Sequence, residues 1–104
     1  MVELFTDYQG RKIRLTDERK QHILAHPEMA EMEVAIEIAL SNPEVVRRSN
    51  TDSTVYLYYR YHEDTGVGDK WLCVVVKYLE DDAFIITAYL TDKLKAGEQV
   101  WPKT

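Results

Sequence analysis

Two histidines four residues apart, His22 and His26 in the run HILAHPEM, raise the first question of chemistry in this chain. On a helix, that spacing puts both rings on one face, as helix-borne zinc sites require. The metalloprotease version of the pattern needs a glutamate directly after the first histidine, and Ile23 stands there. A third ligand would have to be His62 or a distant carboxylate, so neither a metal nor any other cofactor is expected. His22 then reads as a residue packed on a helix flank. His26 precedes Pro27 and reads as a helix-end residue whose imidazolium the helix dipole favours, which suits an acid-base group and equally a plain helix-end partner.

A second group lies in strand-like segments. Period-two alternation puts Val55, Leu57 and Tyr59, then Leu72, Val74 and Val76, then Phe84, Ile86, Ala88 and Leu90 on one face, expected to be the core. The opposite face then takes Tyr56, Tyr58, Arg60 and His62, then Trp71, Cys73, Val75 and Lys77, then Ile85, Thr87, Tyr89 and Thr91. A lysine inside an apolar strand has no need to be there for solvation. A tight turn at Glu80–Asp82 would put Lys77 opposite Thr87 or Ile85, so that lysine, threonine and tyrosine converge. Such a face suits a second core layer under an N-terminal hairpin, a homodimer surface, or a stacking platform with cations for phosphate.

The elements that must position these residues follow from local signals. Val2–Phe5 and Lys12–Leu15 flank the turn-prone Gln9-Gly10 and suggest a hairpin. Thr16 is a good N-cap, with Asp17 and Glu18 suited to a first helical turn, so a helix is expected to about Ala25, with His26 as its last residue. A second helix starts at Pro27 and presents Met29, Met32, Ala35, Ile36, Ala39 and Leu40 at spacings of three and four, up to Ser41-Asn42-Pro43. Val45–Arg48, Thr54–Tyr61, Lys70–Tyr78 and Ala83–Thr91 read as strands, with a loop over Glu63–Gly68. The expected fold class is α+β, with N-terminal helices packed on one face of a four- or five-stranded antiparallel sheet.

The chain has 104 residues, enough for one domain over residues 1–104 with a single core. Its 18 acidic residues outnumber the 13 basic ones, giving a net charge of −5, so any phosphate binding must rest on a local basic patch. Cys73 is the one cysteine, which excludes an internal disulfide and a cysteine-held zinc. The N-terminus lacks the basic-then-apolar pattern of a signal peptide, and the apolar runs are too short to span a bilayer, so a cytoplasmic location and no membrane partner are expected.

The runs TDERKQHILAHPEM, VYLYYRY, GDKWLCVVVK and FIITAYLTDKLKAGE together resemble the phage-type families of the barnase, EndoU, colicin and RelE-like nuclease superfamily, the BECR fold. The resemblance extends from Leu15 to Trp101. It implies a site on the exposed face of an antiparallel sheet and metal-independent RNA cleavage, in which the ribose 2′-hydroxyl attacks the adjacent phosphate and leaves a cyclic phosphate. It implies His26 as base or acid, Arg60 and Lys77 as phosphate holders, with Lys70 as a further candidate, and Thr87 and Tyr89 as groups that orient the phosphate or donate a proton. Tyr58 is then placed to stack a base. The partners expected on this reading are RNA and an antitoxin or other protein, as in a toxin–antitoxin pair or a phage accessory protein. The alternative is a non-catalytic module that uses the aromatic face to bind a protein or a second copy of itself.

Overall fold

The computed structural model describes residues 2–103. Seven strands form one sheet: β1 (Val2–Thr6), β2 (Lys12–Thr16), β3 (Val45–Ser49), β4 (Val55–Thr65), β5 (Gly68–Tyr78), β6 (Ala83–Thr91) and β7 (Gly97–Trp101). Their spatial order is β1-β2-β6-β5-β4-β3-β7, antiparallel except where β2 runs parallel to β6. This overturns the expected four- or five-stranded antiparallel sheet. The N-terminal hairpin extends the sheet at one edge, and the segment after Lys95 supplies a seventh strand at the other. The chain leaves β2 through helix α1 (Asp17–Leu24) and returns to the sheet in β3, so β6 is the strand that meets β2, and it does so in parallel.

The hairpin is closed by Asp7, whose carboxylate accepts from the backbone N–H groups of Gln9 and Arg11, both at 2.9 Å. Gly10 completes the turn at φ +92°, a left-handed value that glycine adopts without strain. At α1 the Thr16 hydroxyl caps the Arg19 N–H at 3.2 Å. The helix stops at Leu24, two residues earlier than His26. His26 is extended, with φ −74° and ψ 124°, because Pro27 disfavours helical geometry before it. Pro27–Met29 forms only a 3-10 turn, and the second helix, α2 (Glu33–Ser41), begins four residues after it.

The main core joins both helices to one side of the sheet. Ile23, Met29, Ile36, Ala39 and Leu40 meet Tyr58, Leu72, Val74, Val76, Ile85 and Ala88, all buried. Each fully buried aliphatic side chain contributes about 1.5–3 kcal/mol. A smaller cluster of Leu57, Tyr59 and Cys73 lies on the other side, under Leu94 from the β6–β7 connection.

The faces differ from the expected ones in two places. Tyr58 pairs with Val74 and Leu57 with Val75, so Tyr56 and Tyr58 join the helix side while Val55, Leu57 and Tyr59 face away. Alternation misassigns β4 because Leu57, Tyr58 and Tyr59 are all buried, leaving no burial contrast to read. In β6 the register shifts between the pairs Val75–Thr87 and Val76–Ile85, a bulge at Ile86. Beyond it Ile85 takes the core side, and Phe84 turns outward.

Candidate functional site

The helix-free side of the sheet carries one row of side chains across five strands. Leu4, Arg14, Phe84, Lys77 and Val55 are successive register partners from β1 to β4. The row alternates apolar groups with cations. The Arg14 guanidinium lies over the Phe84 ring, 5.3 Å from its centroid, and its Nη2 is 2.8 Å from Asp82. Lys77 Nζ is 3.1 Å from Asp52 Oδ2. Hydrogen bonds from the Thr54 hydroxyl and N–H, then Lys77, hold Asp52 at a pKa of about 2, so this carboxylate is a weak base. Arg14 and Lys77 both keep about a third of their side-chain surface exposed, at 36% and 32%.

One rung on, Thr87 pairs with Val75, and Tyr89 pairs with Cys73 one rung beyond. Lys77 itself faces Phe84, so the bulge displaces it from the partner expected, Thr87 or Ile85. Thr87 and Tyr89 line a groove of about 520 Å³ with Ser49, Asn50, Thr51 and Lys95. Lys95 Nζ lies 5.6 Å from the centre of the Tyr89 ring. Burial and the neighbouring Cys73 thiol push the Tyr89 hydroxyl up, so it stays protonated at neutral pH. Tyr59, beside it, is raised to about 12 by the same causes and accepts from the Lys95 N–H at 3.0 Å.

Lys77, Thr87 and Tyr89 therefore share one face, and the remaining expected site residues do not join them. Arg60 is on the helix side, with its guanidinium on the Asn42 carbonyl at 2.6 Å. Lys70 is opposite His62 on that side and is paired with Asp92. Tyr58 is buried on the helix side of the sheet. His26 sits in the helix layer across the sheet, 61% exposed in its side chain, with Glu28 at 3.8 Å and the His22 ring 6.1 Å away, edge to face. Among the described residues no cluster of three or more histidine, cysteine or acidic side chains is placed to hold a metal.

Alternation missed Phe84, which it assigned to the core, and also Arg14 and Lys95. The signal for Phe84 was the bulge, which leaves no mark in composition. A second feature escaped it. On the helix side, beyond the helix-covered core, four tyrosines line a cavity of about 540 Å³ together with Asp7, Arg11, Arg48 and Lys103. There the Tyr78 hydroxyl donates to Asp7 Oδ2 at 2.8 Å, and the Tyr58 hydroxyl meets that of Tyr78. Burial, more than any neighbour, raises both phenols well above the ordinary tyrosine range.

Comparison with protein-family models, with curated proteins and with solved structures finds no match for this chain. Among the described residues no helix is long and apolar enough to cross a membrane.

Proposed function

We propose that the chain is a nuclease-like domain that binds single-stranded RNA on the helix-free face of its sheet. The observation that carries this reading is Phe84, turned outward by the bulge, with Arg14 on one register side and Lys77 on the other. A base stacks on an aromatic ring whatever its identity, and flanking cations take the phosphates on either side. Thr87 and Lys95 extend the polar surface along β6. Arg14 and Lys77 are each paired with one carboxylate, Asp82 and Asp52, so an incoming phosphate competes with those carboxylates for the two cations.

Cleavage by 2′-hydroxyl attack needs a base for the hydroxyl, an acid for the leaving oxygen and cations for the phosphorane. Lys77 and Arg14 supply charge and Tyr89 is a protonated phenol. Asp52 is too weak a base, and His26 is on the other side. The geometry thus favours binding over catalysis. Incubating the protein with unstructured RNA in chelator separates the two. The binding reading expects a retained, intact RNA that Phe84→Ala releases. New cyclic-phosphate ends that disappear in Lys77→Ala would restore the catalytic reading, and no retention by the wild type would refute both. The aromatic-face module loses its shared surface, because Tyr56 and Tyr58 point to the helix side and Trp71 to the other.

A further inference from the structure

The tyrosine-lined cavity is separate from the RNA-binding face, and its chemistry is different. Tyr8 and Tyr56 form its aromatic walls: Tyr8 is edge-on to Tyr58 at 5.8 Å, and Tyr56 is edge-on to Tyr78 at 5.2 Å. At its floor, the proton of Tyr78 is committed to Asp7. Tyr58 must therefore donate its own proton to Tyr78, which leaves the Tyr58 oxygen as an acceptor only. The floor thus calls for a ligand that brings a hydrogen-bond donor, which an exocyclic N–H supplies.

The rim is cationic. Arg48 pairs with Glu98 and touches the Tyr56 hydroxyl. Lys103 is exposed and has no ion-pair partner among the described residues. Arg11 is turned away, onto the Leu79, Glu80 and Asp82 carbonyls. The combination is aromatic walls, a buried acceptor, an amide from Gln99 and an unpaired cation at the mouth, in about 540 Å³. That volume lies within the range of small-molecule sites, roughly 300–1,000 Å³.

We propose that this cavity binds an aminopurine nucleotide, with the base between Tyr8 and Tyr56, its exocyclic amine on the Tyr58 oxygen, and its phosphate on Lys103. The site does not depend on RNA binding at Phe84, because it opens on the other side of the sheet.

The test is an amide and aromatic NMR titration of the full chain with adenosine 5′-monophosphate, with adenosine and inorganic phosphate as separate arms. Saturable shifts at Tyr8, Tyr56 and Lys103 are expected, with each half-ligand binding roughly tenfold more weakly than the nucleotide. Tyr58→Phe keeps the ring in the core and removes the acceptor, and should weaken the nucleotide roughly tenfold. Lys103→Ala alters an exposed side chain, and should lower nucleotide affinity while leaving adenosine binding unchanged. Phe84→Ala should leave nucleotide binding intact even where RNA binding is lost. The proposal is overturned by an absence of saturable shifts, by phosphate binding as well as the nucleotide, by wild-type affinity in both pocket variants, or by loss of the nucleotide in Phe84→Ala.

Discussion

Replacing Phe84 with alanine should separate RNA binding from folding. The ring is half-buried on the helix-free face and outside the main core, so its loss opens no cavity there. Stacking of one base on one aromatic ring is worth about 1–3 kcal/mol, which corresponds to a loss of roughly 5- to 150-fold in affinity. The flanking cations give a second readout. Arg14 and Lys77 are the two positive groups in register with Phe84, and each phosphate neutralised on a single strand contributes about 0.7 to the slope of log K against log salt. Lys77→Ala should therefore reduce that slope by about 0.7 while weakening all sequences alike. Fluorescence anisotropy with a short unstructured oligoribonucleotide, repeated across a salt series, measures both quantities. Unchanged affinity in Phe84→Ala, together with an unchanged salt slope in Lys77→Ala, would refute the reasoning.

Three further outcomes follow from the fold. Asp52 has a folded pKa of about 2, below its ordinary 3.8, so its contribution to stability is full above the ordinary value and is lost as pH falls through about 2. Chemical denaturation at successive pH values should show this acid loss in the wild type and a shallower one in Asp52→Asn. A Cβ at Gly97 would lie 2.5 Å from the Arg48 carbonyl oxygen, so Gly97→Ala should destabilise by about 1–3 kcal/mol as β7 is pushed off β3, read as a lowered urea midpoint. Asp7 is 4% exposed and accepts from Gln9, Arg11 and Tyr78, so Asp7→Ala strands these donors and should cost about 3 kcal/mol by the same measurement.

The elements were more legible in the sequence than their assembly. Thr16 as a cap, Pro27 as a break, and the strands near Val45, Thr54, Lys70 and Ala83 follow from local chemistry. The sheet was under-counted because the expected N-terminal hairpin joins the main sheet through the contact of β2 with β6, and because Gly97–Trp101 is a five-residue edge strand that pairs with distant β3 across a bulge, and so short a segment carries little periodic signal. The parallel contact of β2 with β6 is a single register pair, Arg14 with Phe84, and no local pattern specifies it. The site was half legible. Lys77, Thr87 and Tyr89 share a face as expected, because they lie on strands where alternation holds on their side of the bulge. Arg60 and Tyr58 went to the wrong face because β4 is buried on both sides. Grouping His26 with the strand residues came from the resemblance to the nuclease superfamily and not from spacing, and the helix layer holds it across the sheet.

The most direct test of the central claim is an amide titration of the isotope-labelled protein with unstructured RNA in chelator. Shifts concentrated on Arg14, Lys77, Phe84, Thr87 and Lys95, with Ile36 and Leu40 undisturbed, are predicted. Shifts confined to the helix side, or no shifts at all, would contradict it.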